Sequence, residues 1–121
     1  LAALLFWIGT ATGAGGWALV LWGIPLRLVL VYHITWLVNS ATHCWGEAVH
    51  ESGDKSRNNL WVALFTFGEG WHNNHHAYPH SARHGFGPGQ IDLTWQHIRL
   101  LRALGLANQV RLPRAAAQPV S

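Results

Sequence analysis

The first 46 residues carry a single formal charge, Arg27, and this long apolar stretch limits what the chain can fold into. The other 12 of the 13 charged residues (8 Lys+Arg and 5 Asp+Glu) come later in the sequence. Charged residues make up 11% of the 121 residues, against roughly 25% in ordinary soluble domains. The pattern therefore predicts an all-α integral-membrane protein and argues against a soluble monomer.

The membrane part is predicted to be residues 1–46. One helical crossing needs about 20 apolar residues, so this stretch exceeds one crossing but is too short for two with a loop. The glycine-rich run Gly9–Gly16 is the favoured turn, with the tail of a first helix before it and a complete crossing over Trp17–His43 after it. A turn at Gly23-Ile24-Pro25, giving crossings over 1–22 and 26–46, is the alternative, because proline suits a helix start better than a helix interior.

We expect the chain to be a piece of a longer protein whose first transmembrane helix is truncated. No methionine occurs in it, and it opens within an apolar run. A mature protein that has lost a signal peptide would look similar.

Residues 47–112 are predicted to form a helical cap on the cytoplasmic side. Seven of the eight Lys+Arg follow residue 46, and this bias orients membrane segments. Apolar spacing and end signals predict helices over Arg57–Phe67, Trp71–Ala77 and Asp92–Leu104. The tail, residues 113–121, is predicted to be disordered.

Nucleic acid is not expected as a partner, although the net charge is +3. The Lys and Arg residues are sparse and scattered, whereas a nucleic-acid surface clusters them on one stripe. Basic residues beside a lipid bilayer explain the charge more simply.

Histidine is the most informative residue type for function. Three of the nine histidines, His72, His75 and His76, have the spacing HxxHH. On a helix their side chains fall within an arc of about 100°. Neutral imidazole is the commonest side-chain metal ligand, and burying three unpaired rings for structure alone is costly. The spacing therefore indicates a metal site.

A second polar group lies at the end of the long apolar helix. Asn39 and His43 are one helical turn apart, so their side chains point the same way. Hydrogen bonding between membrane helices explains such a pair as well as metal ligation does. Of the other histidines, His33 is predicted to be a hydrogen-bonded structural residue and His97 to be exposed. His84 is predicted to lie either at the surface, which is favoured, or behind the metal ligands.

Four segments together resemble the membrane-bound fatty acyl desaturases of the acyl-CoA Δ9 type. They are TWLVNSATH at Thr35 to His43, the Gly53-Asp54-Lys55 loop, GEGWHNNHHAYPHSARHG at Gly68 to Gly85, and IDLTWQHIRLLRALGLA at Ile91 to Ala107. The resemblance implies an oxidoreductase that inserts a cis double bond into a saturated acyl chain, carried as a long-chain thioester or a lipid. It also implies two iron ions, O₂, and electrons from cytochrome b5 or ferredoxin.

The resemblance assigns roles to single residues. It implies that His72, His75 and His76 are the last histidine box, that His43 is an additional metal ligand, and that Asn39 reaches a metal through water. Glu69, flanked by glycines three residues before His72, is predicted to accept a hydrogen bond from a liganding imidazole. Thr35 and Trp36 look like positions that line the acyl tunnel, and plain packing of a membrane helix explains them equally well.

The sequence also departs from the family. Two further histidine boxes are expected before Asn39, and His33 is the only histidine there. We therefore assign the activity to a parent protein and expect the 121-residue chain alone to be inactive. The alternatives are a membrane fatty-acid or alkane hydroxylase of the histidine-box type, a membrane metal- or haem-binding module without catalysis, and a scaffold whose histidines only form hydrogen bonds.

Overall fold

The computed structural model describes residues 1–113, and this part of the chain is helical, as predicted. Its α-helices are α1 (Ala2–Ala11), α2 (Gly16–Leu21), α3 (Arg27–Cys44), α4 (Leu60–Phe65), α5 (His72–Ala77) and α6 (Leu93–Ala103). Within these residues the extended backbone pairs only in two isolated bridges, Glu47 with Asn58 and Asn58 with Trp71. The predicted disordered tail lies, apart from Pro113, outside the described residues.

The predicted turn over Gly9–Gly16 is confirmed, and glycine allows the two helices that flank it to approach closely. A Cβ on Gly9 would lie 2.6 Å from the carbonyl oxygen of Gly15, and a Cβ on Gly16 would lie 2.6 Å from the ring of Phe6. The Phe6 and Trp17 rings then meet edge to face at 5.2 Å. α1 and α2 consequently form a helical hairpin.

The long crossing predicted over Trp17–His43 corresponds to one continuous helix, Gly16–Cys44, of 29 residues. It is the one helix among residues 1–113 that is long and apolar enough to cross a membrane. The alternative turn at Gly23-Ile24-Pro25 is wrong, because Trp22–Leu26 is a π-helical segment that continues into α3. A wider π turn accommodates a proline, which lacks the N–H that an α-helix needs. His33 is hydrogen-bonded within the helix, as predicted, with Nδ1 2.8 Å from the Val29 carbonyl oxygen.

Contacts between residues divide the chain into two compact units, the first of which is Leu1–Trp36. The second unit begins at Leu37 and contains the end of α3 together with α4, α5 and α6. His43 and the HxxHH box therefore belong to the same unit, whereas Thr35 and Trp36 belong to the first.

The second unit has a small apolar core. Val38 and Ala41 of α3 form a buried cluster with Val62 of α4. Trp71 and Trp95 are also buried, and Nε1 of Trp71 donates a hydrogen bond to the Ile91 carbonyl at 2.8 Å. Buried polar side chains outnumber the buried apolar ones, so hydrogen bonds contribute much of the order in this unit.

α4 is shorter than the helix predicted over Arg57–Phe67, which is wrong at both ends. Asn58 is extended and bridges two loop segments, and Asn59 caps the helix by accepting a hydrogen bond from the Val62 N–H at 3.1 Å. Phe67 ends it in a left-handed conformation, with φ of 59°. Apolar spacing could not reveal these pairings, because the partners of Asn58 are distant in sequence.

α6 agrees closely with its prediction over Asp92–Leu104. The Asp92 carboxylate caps the helix by accepting a hydrogen bond from the Trp95 N–H at 2.8 Å. Gly105 follows the helix with φ of +72°, a conformation that favours glycine and terminates helices. Both end signals are local, which is why the sequence reveals them.

Gly70 generates a first prediction, because it lies where α4 meets the segment that leads into the HxxHH box. A Cβ on Gly70 would lie 2.0 Å from the backbone nitrogen of Ala63. In the whole protein, Gly70→Ala should therefore lower the free energy of unfolding by about 1–3 kcal/mol, as overpacking of a tight contact does. The control is Gly87→Ala, whose Cβ would meet only the Gln90 side chain at 3.4 Å. Equal thermal midpoints for the two variants would contradict the prediction.

Candidate metal centre

His43 occupies the last turn of α3, and the backbone around it is held firmly. The preceding residue, Thr42, is fully buried, and its carbonyl accepts a hydrogen bond from the Arg57 N–H at 2.7 Å. The next turn closes with a hydrogen bond from the Trp45 N–H to the Ala41 carbonyl at 2.8 Å. The imidazole of His43 is thus presented from a fixed helix end.

His72 and His76 lie one turn apart on α5 and face His43. Their ring centroids are 4.3 Å apart, and the His43 ring lies 5.2 Å from that of His72 and 5.4 Å from that of His76. One ring nitrogen from each of the three lies within 4.8 Å of the others. Two separate stretches of chain therefore bring three imidazoles around one point, which we call the histidine trio.

The nitrogen atoms of His72 fit a metal ion. Both are buried and have no hydrogen-bond partner within the described part of the chain. Burial lowers the pKa of His72 to about 4, with a further contribution from His76, His43 and His75 nearby. The ring is therefore neutral at physiological pH, the form that binds metal, and a bound cation would satisfy a nitrogen that is otherwise costly to bury.

His75 lies outside the trio. Its ring is 6.0 Å from that of His72 and 5.6 Å from that of His76, but only 4.6 Å from that of His84. Burial lowers its pKa, with His84 and His76 contributing, and its Nδ1 is buried without a partner among residues 1–113. The prediction that His75 is a metal ligand stays a prediction.

His84 is half-buried beside His75, so the favoured surface position is wrong and the alternative position next to the histidine box agrees with the structure. Its backbone is fixed on both sides, since its N–H donates to the Asp92 carboxylate at 2.7 Å and its carbonyl accepts from Asn74 at 2.6 Å. Oε2 of Glu69 lies 3.9 Å from Nδ1 of His84. Glu69 thus lies next to His84, which in turn lies next to His75. The hydrogen bond predicted from Glu69 to a liganding imidazole stays a prediction.

The remaining predicted residues lie along α3. Asn39 is exposed one turn before His43. Thr35 donates a hydrogen bond to the Val31 carbonyl at 2.9 Å, and Trp36, 63% exposed, packs against the rings of Tyr32 and His33. The roles given to Asn39, Thr35 and Trp36 stay predictions.

Asn73, the first asparagine of the HNNHH segment, fixes the loop that follows α3. Its side chain is fully buried. Its Oδ1 accepts hydrogen bonds from the Val49 and His50 N–H groups at 2.8 and 2.7 Å, and its Nδ2 donates to the His50 carbonyl at 3.0 Å. Sequence reasoning treated this residue as a spacer between histidines.

Asn74 fixes the other side of the box. Its Nδ2 donates to the carbonyl of His84 and to Oε1 of Gln90, at 2.6 and 2.9 Å. It also exchanges hydrogen bonds with Asn58, whose Nδ2 donates to Oδ1 of Asn74 at 2.7 Å and whose Oδ1 accepts from the Asn74 N–H at 3.1 Å. The sequence signal for this structural role was the pair of amide side chains that lies between the candidate ligands of the same helix.

Asp54 belongs to the Gly53-Asp54-Lys55 loop that carries part of the resemblance, but sequence reasoning assigned it no role at the site. Its Oδ2 is in hydrogen-bond contact with Nδ1 of His76. Its Oδ1 accepts from the Ser52 hydroxyl and the Ser56 N–H, both at 2.8 Å. These hydrogen bonds, from Ser56 first and then from Ser52 and His76, hold the pKa of the carboxyl well below its usual range. An acid flanked by serines two residues away on each side was the local signal.

Comparison with known proteins shows the family of this chain. The family model described as fatty acid desaturase matches residues 1–113. The chain is 61% identical over 103 residues to an sn-1 stearoyl-lipid 9-desaturase of Synechocystis sp. The aligned residues make up 85% of this chain and 32% of that protein. The chain is 56% identical over 102 residues to a chloroplastic palmitoyl-monogalactosyldiacylglycerol delta-7 desaturase of Arabidopsis thaliana, covering 84% and 28%.

A relative named for an acyl-CoA substrate is also similar. The icosanoyl-CoA 5-desaturase of Limnanthes douglasii is 49% identical over 116 residues, covering 96% of this chain and 31% of that protein. The chain thus spans about a third of the length of the relatives it matches. Since the family model covers nearly all of the sequence, the chain belongs to the fatty acid desaturase family.

Proposed function

We propose that this chain is part of an integral-membrane fatty acyl desaturase that converts a saturated acyl chain into a cis-unsaturated one. The observation that carries the proposal is the histidine trio, which a chain of this family gathers from α3 and α5. The family uses such histidines to hold two iron ions. With O₂, iron held by these residues would supply an oxidant able to remove hydrogen from an unactivated methylene group, which no side-chain acid or base can do.

The residues of this chain would hold the iron in two groups. His43, His72 and His76 would bind one ion, and His75, whose ring turns toward His84, would contribute to the second. Asn39, one turn before His43, would reach a metal through water. An ion held by few imidazoles would keep positions open for O₂, and geometry together with metal availability would favour iron. The relatives are about three times longer, so we propose that the remaining ligands come from other parts of the protein and that this chain alone is inactive.

The membrane arrangement follows from the charge pattern. We propose that Gly16–Cys44 crosses the bilayer, since its most apolar window has no buried residue and is free to face lipid. Residues 47–112 would lie on the cytoplasmic side, because seven of the eight Lys+Arg follow residue 46. The iron site would then lie just outside the bilayer, where cytochrome b5 or ferredoxin could deliver electrons. Thr35 and Trp36 would line the acyl tunnel.

We propose an acyl lipid as the substrate. The two relatives with 61% and 56% identity are named for lipid-linked acyl chains, whereas the relative named for an acyl-CoA has 49% identity. The acyl-CoA Δ9 type that the motifs resemble is therefore the second candidate for the carrier.

Substitution of the trio tests the metal site in the whole protein. His72→Ala should reduce bound iron by about half and product formation by more than 100-fold, because it removes a buried ligand of one ion. The control is His97→Ala, which removes an exposed imidazole from α6. Iron is measured by elemental analysis of the purified protein. Unchanged iron and activity in His72→Ala would contradict the proposal.

The reaction and its carrier are tested together. Membranes that contain the whole protein, an electron donor and O₂ receive isotopically labelled stearoyl-lipid or stearoyl-CoA, with acyl transfer inhibited. We expect labelled cis-monounsaturated chains from the lipid, located by mass spectrometry. Product from the CoA thioester alone would overturn the proposed carrier, and a hydroxylated product or none would overturn the desaturase proposal.

A further inference from the structure

We propose that Asp54 is a positioning residue that fixes the tautomer and direction of the His76 imidazole. This inference rests on the proposed function, because it concerns how His76 meets the metal. Oδ2 of Asp54 contacts Nδ1 of His76. Within residues 1–113 this is the carboxylate contact made by the histidine trio; a second histidine–carboxylate contact joins His84 to Glu69.

The carboxylate of Asp54 is itself held in place. Its Oδ1 accepts from the Ser52 hydroxyl and the Ser56 N–H, and the two serine hydroxyls lie 2.9 Å apart. Asn73 of α5 donates to both hydroxyls, at 3.2 and 3.3 Å. These hydrogen bonds form one network. Through it, the buried Asn73 positions the loop whose Asp54 carboxylate contacts His76 on the same helix as Asn73.

The chemistry of this contact determines which nitrogen of His76 is free. Neutral imidazole carries one N–H, and an ionised carboxylate can only accept. Asp54 therefore favours the proton on Nδ1 and leaves the lone pair of Nε2 for the metal. A carboxylate in this position also makes the ligand nitrogen more basic, and loss of such partners typically costs about 10–100-fold in metal affinity.

A plain surface ion pair would behave differently. The side chains of His76 and Asp54 are 30% and 35% exposed, and pairs exposed to this degree contribute little to folding stability. A positioning role predicts a loss of metal affinity without a matching loss of stability. Measuring both separates the two roles.

Asp54→Asn is the most informative substitution. Asparagine has one oxygen in place of two, so if that oxygen continues to accept from Ser52 and Ser56, the amide N–H₂ faces Nδ1 of His76. The amide then donates to Nδ1, and the ring must carry its proton on Nε2, which opposes metal binding. Glu51→Gln is the matched control, because Glu51 is an exposed acid of the same loop.

The experiment titrates the whole, metal-free protein with Co²⁺, followed by its visible absorption, and records the thermal midpoint of each metal-free variant. We expect one of two Co²⁺ equivalents to bind about 10–100-fold more weakly in Asp54→Asn, with affinity unchanged in Glu51→Gln and similar midpoints throughout. Affinity within twofold of the wild type in Asp54→Asn would overturn the inference.

A second variant covers the case in which Asp54→Asn does not fold. Ser52→Ala removes one hydrogen bond to Asp54 and keeps the carboxylate, and we expect a smaller loss of affinity, about threefold. Unchanged affinity in that variant would overturn the inference. The proposed function fails if the His72→Ala substitution does not reduce Co²⁺ binding relative to the wild-type protein. If His72→Ala does reduce Co²⁺ binding but Asp54→Asn binds Co²⁺ as tightly as the wild type, only the role of Asp54 fails.

Discussion

Asn73 and Asn74 lie side by side on α5, and the hydrogen bonds of their buried amide groups connect the segments that surround the site. α4 and α5 have six residues each, far fewer than the roughly 12–15 that an isolated helix needs for even marginal stability in water. The cluster of Val38, Ala41 and Val62 is small. Tertiary hydrogen bonds must therefore supply much of what positions α5, and each buried amide that lost its partners would cost about 1–3 kcal/mol.

This arrangement explains how the unit tolerates unpaired imidazole nitrogen atoms. His72 is buried with neither nitrogen hydrogen-bonded within residues 1–113, a cost that a soluble core would normally avoid. The asparagines make their hydrogen bonds to loops, which leaves His72 and His76 of the same helix free to face His43. Within HNNHH the asparagines thus hold the structure, whereas the histidines are the proposed ligands, and a metal would complete their polar contacts.

Sequence reasoning predicted the features whose signals are local. Each of these signals lies within a few turns of the residues whose structure it determines. They are the apolar length of Gly16–Cys44, the spacing of His72 and His76, and the Asp92 cap with Gly105 at the end of α6. The meeting of His43 with the box could be predicted only on the condition that the loop between them folds back, because no local pattern specifies the path of that loop.

The missed features depend on contacts between distant segments. Asn58 pairs with Glu47 and Trp71, which shortens α4. Asp54 contacts His76 from a loop whose serines accept hydrogen bonds from Asn73. The surface was the favoured position for His84, yet Asn74 and Asp92 hold its backbone beside His75. Pro25 favoured a turn, but a π-helical segment accommodates it inside the long helix.

The central claim is that His43, His72 and His76 bind one metal ion together. Anomalous diffraction at the iron absorption edge, from crystals of the iron-loaded whole protein, tests it most directly. The account predicts an anomalous peak within about 2.3 Å of one ring nitrogen from each of the three residues, near the distance typical of metal–imidazole bonds. Iron bound elsewhere, with these three rings directed away from one another, would contradict it.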